Sequence, residues 1–300
     1  MRLIHCACGT DVRLPGAEHH QLPAVPTRKD LRFLDAAARE CLPVDPTPSL
    51  AEIQAQPDVA HLGTPQRAPQ EPDERLRVVV SGSDAALGAV LTRMMRADYL
   101  WAEVAYIPAD PASPAAVCWG VGELDAAAFA LEAPVIPAAC VRNDSGDVVA
   151  GSAVIYRGGG AGESGEFVGE IVVDSRTLLY NERATARFSG QFGARLVPTM
   201  DAPGIACVPL TTPIAPTGPA SSRSPEQLEW LSGVPALRWL TRGKSAPPAV
   251  PDPSRALTGR AVQAGGESIA LLIDATLKPR PATRATFYRH LRDIQAVRNA

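Results

Sequence analysis

The clearest pattern of apolar and polar positions in the chain lies between residues 78 and 95. Three valines at 78–80 predict a short buried strand, and a small polar turn follows at 81–84. Beyond the turn, the spacing of apolar residues predicts a helix with one buried face: Leu87, Val90, Leu91, Met94 and Met95. Strand, tight turn and helix make half of a βαβ unit, and ligands often bind where such a strand meets its helix.

Short strands and helices also alternate in the rest of the first half. Residues 2–8 and 104–107 have the apolar content of strands, whereas residues 31–41 and 125–131 have the periodicity of helices. This alternation is typical of an α/β domain with a parallel sheet and flanking helices. We place that domain at residues 1–133.

Polar residues before several of these segments are candidate helix caps. Asp30 precedes one predicted helix, and Asp110 precedes another that begins at Pro111. Ser49 and Glu52 have the spacing of a capping box, which predicts one more short helix.

The second half is dominated by short runs that alternate or are rich in β-branched residues. Strands are predicted at 135–141, 148–156, 170–173, 177–180, 184–189, 195–197, 205–210, 260–264, 268–273, 285–288 and 294–297. Many short strands at close spacing are typical of a sandwich or a partly open barrel. We therefore expect a mainly antiparallel β-sandwich domain at residues 134–300.

A proline-rich insertion at 211–256 interrupts the predicted sandwich domain. Ser224 begins a predicted helix within it, and two tryptophans, Trp230 and Trp239, lie near arginines. These tryptophans either pack onto the sandwich, which we favour, or form an amphipathic element on a membrane surface.

Composition narrows the classes of function. The 300 residues carry a formal net charge of −3 and 5% aromatic residues, which argues against nucleic acid as a partner. Neither a secretory signal nor a run of 18 apolar residues is present, so a cytoplasmic protein without a transmembrane segment is expected. The six cysteines are scattered, which favours reduced, buried thiols over zinc ligands.

Three motifs resemble those of the diacylglycerol kinase family and its NAD kinase relatives. The turn from Gly82 to Leu87 is similar to the family's GGDGT-L signature, and Pro108 to Ala116 aligns without a gap to PLGTGNDFA. Asp274 falls on the aspartate of a late Asp-Gly-Glu motif. The resemblance covers residues 76–298 and implies an α/β domain followed by a β-sandwich, with a site between them.

The same resemblance implies site residues, a cofactor and a reaction. Asp274 is the expected catalytic base, and Asp84 is expected to act at the phosphates and to bind the metal. The expected nucleotide-binding residues are Gly82, Ser83, Asp84, Ala85, Ala86, Pro108 and Ser113. The cofactors would be ATP and Mg²⁺, and the reaction would transfer a phosphoryl group to a lipid or small hydroxyl acceptor. A homodimer is a further expectation.

The chain departs from the family motifs where they contact phosphate. Ser83 and Ala85 replace glycines that let phosphate approach the backbone, and Pro111 and Pro114 remove N–H donors. We therefore expect ATP to bind weakly or not at all. The alternative to a kinase is a non-catalytic relative that binds a nucleotide, an anionic lipid or a protein partner.

A run of basic residues follows Asp274: Lys278, Arg280, Arg284, Arg289 and His290. Alternation along strands could gather some of them to hold an anionic head group. A solvated basic face is the alternative that we favour.

Overall fold

The computed structural model describes residues 1–55, 63–122, 125–158, 165–182, 189–214 and 249–299. The helix predicted from Ser224, both tryptophans of the insertion and most of the strand predicted at 184–189 lie outside these residues. No helix in the described ranges is long and apolar enough to span a membrane.

The described residues form the following elements. The helices are α1 (Arg32–Cys41), α2 (Leu50–Gln54), α3 (Asp84–Arg96), α4 (Pro114–Trp119) and α5 (Ala126–Glu132). The strands are β1 (Arg2–Cys8), β2 (Glu18–Leu22), β3 (Leu76–Gly82), β4 (Glu103–Pro108), β5 (Val135–Ala138), β6 (Val141–Asn143), β7 (Ala153–Arg157), β8 (Gly169–Val173), β9 (Arg176–Asn181), β10 (Gly193–Pro198), β11 (Ile205–Pro209), β12 (Leu257–Gly259), β13 (Ala261–Ile273), β14 (Thr276–Leu277), β15 (Ala282–Arg289) and β16 (Ile294–Val297).

The first sheet has six strands in the order β2-β1-β3-β4-β16-β5. All neighbouring pairs are parallel except β16 and β5. Alternate residues of the central strands pack against helices on opposite faces, with α1 and α3 on one side and α5 on the other. The parallel strands β1, β3 and β4 therefore end at one common edge.

The second sheet is antiparallel and is organised around the long strand β13. The register of β13 shifts between Gly265 and Ile269. That shift lies in its pairing with β15. Besides β15, the first half of β13 pairs with β8 and the second half with β7. Side chains from both ladders share one apolar core. The α/β domain followed by an antiparallel β domain is the predicted fold class.

Several predicted strands are joined or divided differently in the structure. Residues 260–264 and 268–273 form the single strand β13. Residues 135–141 divide between the two sheets, because the N–H of Ala139 donates to Met200 and the carbonyl of Cys140 accepts from His290. The strand predicted at 294–297 forms, but it lies in the first sheet rather than in the second domain.

Two predicted helix caps are wrong. The carboxylate of Asp30 accepts hydrogen bonds from the backbone and hydroxyl of Thr27, and α1 has no side-chain cap. Asp110 instead accepts the N–H of Ala112 in a tight turn, and α4 begins at Pro114 with Ser113 as its cap. The capping box of Ser49 and Glu52 is confirmed.

Candidate functional site

The carboxyl edge of the first sheet faces the second domain across a cavity of about 480 Å³. The first domain contributes the start of α3, the segment after β4 and Val25; the second contributes Ser152 and the turn between β13 and β14. The lining residues are Val25, Ser83, Asp84, Ala85, Tyr106, Ala109, Asp110, Ala112, Ser113, Pro114, Ser152, Asp274, Ala275 and Thr276. The cavity lies where a parallel α/β sheet usually binds its ligand.

Asp84 is the first residue of α3 and is buried against α4. Its Oδ1 accepts the hydroxyl of Ser113 at 2.7 Å and lies 2.9 Å from the hydroxyl of Tyr106. Its Oδ2 accepts the N–H of Ala115 in the first turn of α4 at 3.0 Å. The helix cap of α3 is the neighbouring Ser83, so Asp84 instead joins the starts of two helices.

Asp274 is buried in the two-residue turn between β13 and β14. Its carboxylate accepts three backbone N–H groups, from Ala150 at 2.9 Å, Gly151 at 2.8 Å and Ser152 at 2.9 Å. Burial raises the pKa of this carboxyl to about 7, although the three N–H donors lower it; the charge of Asp84 raises it further.

Two glycines allow the carboxylates to approach the backbone. A Cβ on Gly151 would lie 2.5 Å from Oδ2 of Asp84, and one on Gly88 would lie 2.8 Å from Oδ2 of Asp274. Gly151 also donates its N–H to Asp274, so this residue contacts both carboxyl groups. The segment before β7 therefore separates the two acids and holds both in place.

The charges around the cavity are unbalanced. Asp84, Asp110 and Asp274 line it, whereas neither lysine nor arginine occurs among its described lining residues. Within the described ranges, moreover, no group of three or more His, Cys, Asp or Glu side chains is placed to hold a metal ion.

A second cavity of about 210 Å³ continues along α3 and shares Val25, Ala85, Asp274 and Thr276 with the first. Its other lining residues are Pro26, Arg28, Gly88, Ala89, Thr92, Arg93, Arg96, Asp147, Val148, Ile273 and Lys278. Four of these are basic, so the two cavities form one cleft with an acidic end and a basic end.

The structure brings together most, but not all, of the predicted site residues. Ser83, Asp84, Ala85, Ser113 and Asp274 all line the larger cavity.

The other three predicted residues do not line it. Gly82 has a φ of 147°, and a Cβ there would meet the carbonyl of Cys8 at 2.7 Å. Ala86 is fully buried in the core, and Pro108 is the last residue of β4, outside the set that lines the cavity.

Sequence reasoning missed Tyr106, Gly151 and Ser152. Tyr106 lies on a predicted strand and was assigned no role, although a phenol among apolar strand residues needs a hydrogen-bond partner when buried. The signal for the other two is weaker: Gly151 and Ser152 interrupt an apolar run that was predicted to be one strand.

The basic run after Asp274 does not gather on one face. Arg289 and His290 are buried, at 4% and 5% exposure, and Arg289 pairs with Asp293. Arg280 and Arg284 are exposed. Of the five residues, only Lys278 lines the described cleft.

Comparisons with known proteins identify the fold. No protein-family model matches the sequence, and no curated protein matches it significantly. A crystal structure of a diacylglycerol kinase from Bacillus anthracis aligns with 99% of this chain and 97% of its own, with a TM-score of 0.51 at 8% identity. Two further solved structures assigned as diacylglycerol kinases of that organism align with TM-scores of 0.53 and 0.50, also at 8% identity. The chain therefore has a diacylglycerol kinase-like fold.

Proposed function

We propose that this protein binds a small molecule in the cleft between its two domains and does not transfer phosphoryl groups from ATP. One observation carries the proposal: the end of the cleft at the sheet edge has three carboxyl groups and, among its described lining residues, no cationic side chain. A triphosphate needs several cationic partners, because its own charge must be compensated when water is removed.

The residues around Asp84 do not fit a magnesium–nucleotide complex. Two hydroxyl groups and one N–H already use the carboxylate of Asp84 as their acceptor. A metal ion bound there would replace these donors and would break the connection between α3 and α4. The carboxylate lone pairs that Mg²⁺ would need are therefore already used as acceptors by protein donors.

The backbone at the cleft also offers few donors for phosphate. Ser83 and Ala85 carry side chains at the start of α3, and Pro114 has no N–H at the start of α4. The N–H that follows it, on Ala115, is donated to Asp84. At the start of α4, the N–H that could bind a phosphate is therefore already used by a protein carboxylate.

The kinase hypothesis is favoured by one specific property of Asp274. Burial raises the pKa of its carboxyl to about 7, which is the range expected of a general base that acts near neutral pH. Phosphoryl transfer from ATP and Mg²⁺ to a lipid or small hydroxyl acceptor is therefore the second candidate function.

Calorimetric titration of the full chain with ATP and Mg²⁺ separates the two candidates. We expect no saturable heat at millimolar ATP and no transfer of labelled phosphate to diacylglycerol or glycerol. Micromolar affinity, about −8 kcal/mol, would restore the kinase hypothesis.

Binding in the cleft has its own test. Ala85 lines both cavities, so Ala85→Trp should fill the cleft; Val117, which is exposed on α4, provides the matched variant Val117→Trp. In a melting-temperature screen of phosphate esters, polyols and amines, one class should stabilise the wild type and V117W but not A85W. If no class of compound raises the melting temperature of the wild type, the proposal is wrong.

A further inference from the structure

The basic end of the cleft carries charge that the protein does not neutralise. Arg93 is paired with Asp35, which also accepts the hydroxyl of Tyr99 at 3.1 Å, so this arginine is compensated. Two other cations share a single carboxylate: Lys278 lies 2.7 Å and Arg96 3.6 Å from Asp147.

The fourth cation of this end, Arg28, is exposed and has no acidic partner within the described ranges. One of the three charges of Arg28, Arg96 and Lys278 is balanced by Asp147, which leaves an excess of two positive charges beside a cavity of about 210 Å³; Asp274 lines the same cavity and reduces this excess to one when it is ionised. Arginine and lysine side chains are the usual partners of phosphate groups.

The floor of this end is the exposed face of α3. The space beside Gly88 is filled by the carboxylate of Asp274, because a Cβ there would lie 2.8 Å from its Oδ2, so Asp274 lies where the two ends of the cleft meet. Thr92 accepts the N–H of Val148 at 2.9 Å, which leaves its own hydrogen available to a ligand oxygen.

From this charge pattern we propose that the cleft binds a small phosphomonoester of a polyol. The phosphate would lie between Arg28 and Lys278, and the hydroxyl groups would point along α3 toward Ser152 and Asp274. Hydroxyl groups are suitable ligands for that end, because they donate hydrogen bonds to carboxylates and bring no negative charge. This inference rests on the proposed function and specifies its ligand class.

Two sources share this chemistry: a soluble glycerol phosphate and the head group of phosphatidic acid. Val25, at 46% exposure, lines the cleft, and Leu277, at 48%, is adjacent in sequence to Thr276 and Lys278, which also line it. Separate arms with glycerol 3-phosphate in solution and with vesicles therefore distinguish the two sources.

The test is calorimetric titration of the full chain with glycerol 3-phosphate, with glycerol as the neutral control. We expect submillimolar affinity for the phosphate ester, weakened about tenfold by Arg28→Gln and by Lys278→Gln. Lys29→Gln and Arg280→Gln are matched controls, because these neighbouring residues are exposed and do not line the cleft. Each control should change the affinity less than about twofold.

The second arm measures cosedimentation with phosphatidylcholine vesicles, with or without phosphatidic acid. Retention only with phosphatidic acid, lost in R28Q and K278Q, supports the head group as the source; binding of glycerol 3-phosphate alone supports the soluble ester. Failure of both probes, or equal losses in the controls, overturns the inference. The proposed function fails on a different result, namely saturable binding of ATP and Mg²⁺.

Discussion

At the scale of single residues, the unusual feature is a pair of buried carboxyl groups that share no cation. Buried carboxylates are usually compensated by a positive charge or a metal ion. Asp84 and Asp274 instead rely on neutral donors, and the charge of Asp84 raises the pKa of Asp274. The carboxyl group of Asp274 is therefore costly to ionise, which makes the stability of the protein sensitive to pH.

The variant Asp274→Asn should reveal that sensitivity. Burial raises the pKa of Asp274 from 3.8 to about 7, so between these values the folded chain holds a proton that the unfolded chain has lost. Its stabilising contribution is complete below pH 3.8 and is lost as the pH rises through 7. The free energy of unfolding of the wild type, relative to D274N, should fall by roughly 2–4 kcal/mol from acidic to neutral pH.

Urea unfolding across this pH range provides the measurement. Ser152→Ala is the control, because this variant keeps the N–H that Asp274 accepts and should retain the pH dependence of the wild type. If D274N and the wild type follow parallel pH profiles, Asp274 is already ionised at acidic pH in the folded protein.

The backbone of the same turn gives a second prediction. Asp274 and Ala275 have φ values of 46° and 61°, the left-handed pair that a two-residue hairpin turn requires. Alanine is strained in this region and glycine is not, so Ala275→Gly should stabilise the protein by about 0.5–1 kcal/mol. Chemical denaturation measures the gain.

Ala270→Gly, in the extended part of β13, is the matched control for A275G. Glycine in a strand interior loses more backbone entropy on folding, so this variant should destabilise the protein. A loss of stability in both variants would show that the turn is not strained at Ala275.

At the scale of elements, β3 and α5 are joined by a buried arginine. Arg77 is 3% exposed; it pairs with Glu103 and donates to the carbonyl groups of Ala130, Leu131 and Ala133 at the end of α5. A cation at this end of a helix also interacts favourably with the helix dipole.

Replacement of this arginine should be strongly destabilising. Arg77→Met would leave Glu103 and the last carbonyl groups of α5 without their buried partner, at a cost of roughly 3–5 kcal/mol. Arg75 pairs with the same glutamate, but its side chain is 62% exposed, so Arg75→Met should cost less than about 1 kcal/mol. Similar unfolding midpoints for the two variants would contradict this account.

Local patterns predicted the elements whose neighbours are close in sequence. The strand before Ser83, the helix after it and the buried face of that helix all follow from a period of two or 3.6 residues. The caps failed at Asp30 and Asp110 because a short polar side chain can instead form a turn within its own loop. Sequence alone does not decide between these two local hydrogen bonds.

The missed or misassigned strands depend on distant contacts. Strand β2 is polar and lies at the edge of the sheet, so it has little apolar pattern. Gly265 and Gly266 predicted a break in β13, but the long-range ladders with β7 and β8 hold the chain extended on both sides. The family resemblance predicted that Asp84 and Asp274 would lie in one cavity. The groups that donate hydrogen bonds to these carboxylates are distant in sequence, so no local pattern predicts them.

At the scale of the whole molecule, the chain enters the first sheet twice. The last strand, β16, lies between β4 and β5 and pairs with both, after the chain has passed through the antiparallel domain. The predicted boundary at residue 133 stays a prediction, but a fragment that ended there would lack two of the six strands. The two halves of the molecule should therefore fold as one cooperative unit.

Removal of residues 291–300 tests this dependence. Ile294, Ala296 and Val297 are at most 4% exposed, so their loss would open the core on both faces of the sheet and leave β4 and β5 without a shared partner. We expect the shortened chain to lose its cooperative thermal transition in circular dichroism and to aggregate on a sizing column. Removal of residue 300 alone is the control and should leave the transition unchanged. A cooperative transition near the wild-type melting temperature in the chain without residues 291–300 would show that the first domain folds without its last strand.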